Sequence, residues 1–315
     1  MNVFLYDAEE NREGYTDEVV RAFRGQGDLR IYDEDSPLTG QLKGVDVVVD
    51  VGGFGTSEMI EAAVDAKLWQ ILGQGLDHTD VALIKSKGIM VCNCPGQISA
   101  VSVAECAMMH ILMLARRFHE SAASLKKGRM SEPLGQSLAG LTLGLIGFGA
   151  SAQELARRAK SFGMRIEAID IKKVESGVEP DFMGGPDDMD EVIRRCDFLS
   201  LHLHLTDQTR QIIDSRRLGL MKNSSSLINV ARGGLVDEQA LHRAVVEGKI
   251  GGAGLDVYGQ EPPDISSCFY RLPNVVLSPH VAGSTDYVVR KRVEVSLENA
   301  NRIGQGLEPM YRVDK

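Results

Sequence analysis

Gly147, Gly149 and Ala152 spell G-x-G-x-x-A within the segment GLIGFGASA. Each of the three has a physical use at a phosphate. Gly147 permits a tight turn, Gly149 lets the backbone approach a pyrophosphate, and Ala152 is small enough for a helix to lie against a sheet. The motif follows an apolar run, Leu141–Ile146, and opens a helical stretch from Gln153 to Phe162 that stops at Gly163. The start of such a helix offers unpaired N–H groups and a positive dipole end to an anion. About 20 residues after the first glycine, the next apolar run closes on Asp170, where a dinucleotide fold places the acid that takes the ribose diol. Strand, glycine turn, helix and acid together point to a dinucleotide. The charge of Asp170 repels a 2′-phosphate, so NAD is expected over NADP. Lys172 and Lys173 weaken that preference without reversing it.

Three more ionisable side chains follow apolar runs in the same half of the chain. Arg232 comes after Ser226–Val230, Asp256 after Gly254–Leu255, and His280 after Val275–Ser278. In a doubly wound sheet, ligands gather outside the carboxyl ends of the strands. Arginine, aspartate and histidine are therefore expected on the edge that carries the glycine turn.

The elements that must position these residues alternate along the whole chain, which is the βαβ pattern of parallel sheets. A first set of strand-like runs comprises Val3–Tyr6, Leu29–Tyr32, Val45–Val51, Gln70–Gly73 and Ile89–Cys92, with helices at Thr16–Phe23 and Ser57–Ala63. Five such strands fit a small flavodoxin-like sheet. One long apolar segment, Ser99 to Phe118, follows, and then a polar loop from Lys126 to Gly140. The second set comprises Leu141–Ile146, Arg165–Asp170, Asp197–Leu203, Ser226–Val230, Gly254–Val257 and Val275–Ser278. Helix Asp237–Glu247 opens with acid at its positive end and stops at Gly248. The last helix, Thr285 to Ile303, has no sheet of its own and is expected to return to the first set. The α/β fold so read is a Rossmann NAD-binding domain, residues 99–283, inserted into a discontinuous flavodoxin-like substrate domain, residues 1–98 and 284–315.

Composition sets the outer limits. The 315 residues suit two domains, and 43% hydrophobic with 25% charged residues suits a globular enzyme. A net charge of −9 speaks against nucleic acid. MNVFLYD lacks the parts of a signal peptide, and the most apolar stretch, Val101–Ala115, carries Glu105 and His110. Neither a membrane span nor a membrane-surface patch is expected. Five cysteines (Cys92, Cys94, Cys106, Cys196, Cys268) form no disulfide framework and read as reduced packing thiols in a cytoplasmic protein. His202 and His204 fall two apart on an expected strand and so share a face, but no third ligand follows, and no metal is expected.

The segments GFGASA, NVARGGLVDEQAL, GGAGLDVYGQEPP and LSPHVAGST resemble, in order and spacing, the D-isomer-specific 2-hydroxyacid dehydrogenase family. The resemblance extends back through GQGLDHTD and Ala104-Glu105. It implies an NAD-dependent enzyme that moves a hydride between nicotinamide and a small 2-hydroxy or 2-keto acid. Carried over residue by residue, it gives Arg232, Glu261 and His280 as catalytic. Hydride addition to a ketone builds negative charge on oxygen, so a proton donor must stand beside it, and His280 is that acid. Glu261 would hold the imidazole and favour its charged form. Arg232 would pair with the substrate carboxylate and polarise the keto oxygen. Cofactor contacts are expected from Gln74, Gly147, Gly149, Ala150, Ser151, Asp170, Leu203, Val230, Ala231, Arg232, Asp256, His280 and Gly283. Taken singly, Glu261 would be a surface residue before two prolines, Arg232 a solvated loop residue and Asp256 a turn former.

The chain departs from the family pattern in places. Ala150 stands where a basic side chain often reaches the phosphates, Ser151 replaces an aliphatic residue, and His204 replaces a proline. The substrate carboxylate is expected at backbone N–H groups of Val51-Gly52-Gly53, where glycines let the main chain close on an anion. Asp50 takes the place of an arginine common in phosphoglycerate-oxidising relatives, and Asp50 to Glu58 holds no cation. Glyoxylate or hydroxypyruvate is thus expected over a phosphorylated acid, with 3-phosphoglycerate dehydrogenase as the alternative. An NAD-sensing corepressor-like binding protein is the alternative of another class; such relatives carry extra tails, whereas this chain ends at Lys315. Relatives pair through the region of Ser99–Phe118, so a homodimer is expected.

Overall fold

The apolar runs become strands covered on both faces. The computed structural model describes residues 1–7, 15–172 and 177–315, so Lys173 lies outside the described residues. The chain divides into two units, Met1–Ile98 with Thr285–Lys315, and Ser99–Ser284.

The first unit holds β1 (Asn2–Asp7), α1 (Tyr15–Phe23), β2 (Asp28–Ile31), α2 (Leu38–Leu42), β3 (Val47–Val51), α3 (Ser57–Ala62), β4 (Leu68–Ile71), α4 (Val81–Ser86) and β5 (Met90–Cys92). The strands pair in parallel in the order β2-β1-β3-β4-β5, the flavodoxin-like order. Alternate residues serve opposite faces. Val3, Leu5, Val47 and Val49 pack on one side, and Phe4, Tyr6, Val48 and Trp69 on the other. Each such buried side chain contributes about 1.5–3 kcal/mol. A terminal helix, Asp286–Gly304, belongs to this unit, capped by Thr285, and buries Val289, Val293 and Ala300 in the same core as Val3 and Leu5.

The second unit begins with α5 (Ala100–Ala115) and α6 (Phe118–Lys126), followed by β6 (Thr142–Ile146), α7 (Ala150–Ser161), β7 (Arg165–Ile169) and β8 (Phe182–Gly184). It continues with α8 (Met189–Arg195), β9 (Phe198–Leu201), α9 (Ser215–Leu218), β10 (Ser226–Asn229), α10 (Glu238–Val246), β11 (Gly252–Leu255) and β12 (Val275–Leu277). We label Asp286–Gly304 α11. The seven parallel strands run β12-β11-β10-β9-β6-β7-β8, so chain order reverses between β6 and β9. That reversal opens the crevice in which a Rossmann sheet binds its ligand.

Two elements differ from the sequence reading. The segment expected to continue to Phe118 breaks after α5, because Arg117 adopts φ 49°, and α6 starts afresh. The sheet also gains β8 at its edge; three half-buried residues ending in glycine carry too little apolar pattern to announce a strand.

Candidate active site

The glycine turn is built as a close approach followed by an opening. Gly147 has φ +87°, and a Cβ there would lie 2.5 Å from the His202 carbonyl oxygen. Its amide donates to Ile169 O at 2.8 Å, which fixes the turn to the end of β7. Gly149 caps α7 with an extended backbone and no side-chain hydrogen bond, and a Cβ on it would meet no protein atom within 4 Å. The room that a pyrophosphate needs lies in front of the first-turn amides, which have no partner within a helix. Asp170 braces this turn: Oδ2 accepts from Phe148 N at 2.8 Å and Oδ1 from Lys172 N at 3.0 Å. Each carboxylate oxygen keeps a lone pair for a ribose hydroxyl. The residues present fit a dinucleotide.

Three loops at the carboxyl ends of β10, β11 and β12 lock into one another. Past β10, Asn229 Oδ1 accepts from Ala231 N at 3.1 Å, and Asn229 Nδ2 donates to Arg232 O at 2.9 Å. Arg232 is half-buried, and its guanidinium donates to Ala231 O at 2.8 Å. Gly233 lies so close to the next loop that a Cβ would fall 1.8 Å from Tyr258 O. Past β11, Asp256 is fully buried. Its Oδ1 accepts from Ser278 Oγ at 2.6 Å and Val281 N at 2.9 Å, and its Oδ2 from Ala282 N at 2.8 Å. Burial pushes the Asp256 carboxyl up, opposed by those donors and by the charge of His280.

Asp256 thus holds the loop that carries His280. The His280 amide donates to Asp256 O at 2.7 Å, and the residue sits at φ 54°. A left-handed non-glycine residue costs roughly 1–2 kcal/mol, which this network offsets. Tyr258 adds a brace, its hydroxyl donating to Ser278 O at 2.9 Å. The imidazole Nδ1 of His280 lies 2.7 Å from Glu261 Oε2, while Glu261 Oε1 accepts from Tyr258 N at 3.0 Å. Burial raises the Glu261 carboxyl, but the hydrogen bond and charge of His280, the Tyr258 amide and the charge of Arg232 outweigh it and hold the group below its usual range. The His280 side chain is 50% exposed, and its Nδ1 is the atom that Glu261 takes.

The match to known proteins decides the family. Residues 108–282 match the model described as D-isomer specific 2-hydroxyacid dehydrogenase, NAD binding domain. The chain belongs to the D-isomer specific 2-hydroxyacid dehydrogenases. It is similar to a hydroxypyruvate reductase of Thermotoga maritima, 43% identical over 75% of this chain and 77% of that one. It is 38% identical to a D-3-phosphoglycerate dehydrogenase of Methanocaldococcus jannaschii over 85% of this chain, but spans only 52% of that protein. A D-lactate dehydrogenase from Aquifex aeolicus, solved with NAD and lactic acid, superposes with a TM-score of 0.81 at 29% identity, over 97% and 96% of the two chains. The protein is an NAD-dependent 2-hydroxyacid oxidoreductase.

In this dehydrogenase the remaining expected site residues fall into two groups. Val230, Ala231 and Gly283 lie beside the strand ends just described and Leu203 past β9 against Gly147, Val230 buried and the others half-buried. Ala150 and Ser151 form the first turn of α7. Gln74 and Val51-Gly52-Gly53 belong to the first unit. There the sequence reading needs a correction. Gly52 and Gly53 do adopt positive φ, but the Gly53 amide donates to Asp50 Oδ1 at 3.2 Å and is not available to a substrate. Asp50 is fully buried and also accepts from Phe54 N, Gly55 N and Trp69 Nε1. Its charge faces its own turn, so it offers no like charge to an incoming phosphate.

A second correction concerns the histidine pair. Strand β9 ends at Leu201, so His202 and His204 share no strand face; His202 is half-buried and His204 exposed. Among the described residues, no cluster of three or more His, Cys, Asp or Glu side chains is placed to hold a metal. Also among them, no helix is long and apolar enough to cross a membrane.

Sequence reasoning missed the supports. Asn229, Gly233 and Ser278 sat inside the quoted segments, and only the close approaches reveal their use. Glu238 sat there too, read only as an acid at a helix start: it accepts from Gly259 N at 2.7 Å and Tyr270 Oη at 2.6 Å, tying the Glu261 loop to α10.

Proposed function

We propose that the protein reduces a small unphosphorylated 2-keto acid, of the glyoxylate or hydroxypyruvate type, with NADH, as a cytoplasmic homodimer. The observation that carries this is the His280–Glu261 pair at 2.7 Å, held beside the half-buried Arg232. The pairing occupies Nδ1 and leaves Nε2 as the proton-delivering atom. NADH, when bound, supplies the hydride. His280 Nε2 then donates its proton to the keto oxygen, where charge accumulates. The carboxylate of Glu261 steadies the ring while it is charged, and Arg232 pairs with the substrate carboxylate and polarises the carbonyl. Asp256 acts through the loop it anchors, as a positioning residue.

Residues 99–283 are assigned to the cofactor, with Gly147, Gly149, Ala150, Ser151 and Asp170 at its adenosine and phosphate end. Residues 1–98 and 284–315 are assigned to the substrate, whose carboxylate is given to the Val51–Gly52 part of the turn. The preference for an unphosphorylated acid rests on residues 50–58, which hold no lysine or arginine to pair with a phosphate. The ratio of specificity constants for hydroxypyruvate and 3-phosphohydroxypyruvate tests it. A large preference for the phosphorylated acid would favour the alternative, a 3-phosphoglycerate dehydrogenase.

Dimerisation is supported by apolar side chains left exposed on the second unit: Val101 and Met109 of α5, Phe118 and Leu125 of α6, and Met130 and Leu134 beyond them. Exposed apolar surface gathered in this way marks an interaction site.

A further inference from the structure

His202 joins the glycine turn to the neighbouring strand. Its Nδ1 lies 2.9 Å from Ser151 Oγ and its Nε2 lies 3.0 Å from Ser200 Oγ. Burial pushes the imidazole down to about 4, so at neutral pH the ring carries a single proton, on one nitrogen or the other.

The partners decide which. Ser200 is fully buried on β9, and among the described residues its hydroxyl meets His202 alone. A buried donor with nowhere to give its proton is costly, whereas an acceptor short of one bond is tolerated more readily. Ser200 therefore donates to Nε2. Nδ1 must then carry the ring proton and donate it to Ser151 Oγ. Relieved of donating to the ring, the Ser151 hydroxyl has its own proton to give.

Ser151 stands in the first turn of α7, two residues past Gly149 and its open space. Gln153, the other polar side chain of that turn, donates to Phe148 O at 3.0 Å. The turn Ala150-Ser151-Ala152-Gln153 contains no lysine or arginine. We propose that Ser151 donates a hydrogen bond to the pyrophosphate of NAD and is set as a donor by the Ser200–His202 relay. With the opposite wiring, Ser151 would donate to the ring and turn lone pairs toward the phosphate oxygens. The relay thus settles whether this side chain attracts the anion or repels it. The proposal rests on the cofactor being a dinucleotide.

Two measurements on the whole protein test it. The first is calorimetric titration of wild type and Ser151→Ala with ADP-ribose, which has the pyrophosphate, and adenosine, which has not. Ser151→Ala should weaken ADP-ribose on the order of tenfold, the loss of one hydrogen bond to a charged group, and leave adenosine within about twofold. The second is nitrogen NMR of the wild-type imidazole, which should show His202 protonated on Nδ1 and bare on Nε2. Unchanged ADP-ribose affinity in the variant, equal losses for both ligands, or a proton on Nε2 would each overturn the proposal. Wild-type protein that bound adenosine and ignored ADP-ribose would instead overturn the cofactor assignment beneath it.

Discussion

His280 meets Glu261 through Nδ1, at 2.7 Å from Oε2, and the other carboxylate oxygen is held by the Tyr258 amide at 3.0 Å. The ring can therefore turn only by breaking a charge-assisted bond. Loss of His280 or of Arg232 should remove the proton donor or the electrostatic clamp. His280→Ala and Arg232→Ala are each expected to lower turnover by about two to four orders of magnitude. Circular dichroism would show whether the fold survives; wild-type turnover in a folded His280→Ala protein would remove the histidine from the mechanism.

Glu261 supplies a pH signature. Its carboxyl lies below the usual range, because the bond and charge of His280 and its other partners outweigh burial. For a lowered carboxyl, the stabilising contribution is present above the ordinary value and lost as pH falls through the folded one. Glu261→Gln keeps the size of the side chain and removes its charge, so Tm should fall below wild type at neutral pH and the gap should close as pH drops through the low value of that carboxyl. A gap that stays constant across that range would show that the charge of Glu261 is not what matters.

Glu238 should report on the loop that bears Glu261. The His242 imidazole at 3.5 Å, the Tyr270 hydroxyl and the Gly259 amide hold its carboxyl down at about 2, against burial. Its contribution to stability is present above the ordinary carboxylate range and lost as pH falls from there toward about 2. Glu238→Gln should therefore lower Tm at neutral pH, with the gap to wild type closing in acid. A gap that stays constant across that window would show that the charge of Glu238 is not what matters.

Much of this architecture was legible in the sequence, and the reason is physical. Strands covered on both faces read as unbroken apolar runs, and glycine turns with an acid at fixed spacing have few other uses. What stayed hidden is the direction in which polar groups point. Asp50 and Asp256 both looked like residues facing a ligand. Both are buried carboxylates that accept three or more protein hydrogen bonds, Asp50 mainly from its own turn and Asp256 from residues 278–282 past β12. Sequence shows that an acid follows a strand, but not whether the loop closes over it. Likewise β8 and the break before α6 depend on tertiary packing and on one left-handed arginine, which composition does not signal.

Asp170 should make NADH much the better cofactor. It already binds Phe148 N and Lys172 N, so a 2′-phosphate would meet a fixed negative charge. Asp170→Ala should narrow the gap in kcat/KM between NADH and NADPH. Equal efficiency of the two in wild type would sink the assignment.

The exposed Met109 and Phe118 should lie within a dimer contact. Sedimentation at micromolar concentration is expected to show twice the 34.3 kDa of the chain, and Met109→Glu to shift the population toward monomer. A wild-type species of one chain mass alone would refute the dimer.

Steady-state NADH oxidation with glyoxylate, hydroxypyruvate and 3-phosphohydroxypyruvate, by wild type and His280→Ala side by side, bears most directly on the central claim. Wild type should oxidise NADH with the small unphosphorylated 2-keto acids, and the variant should lose about two to four orders of magnitude on the same substrates. Absence of any 2-keto-acid-dependent NADH oxidation by wild type, or equal rates from both proteins, would contradict it.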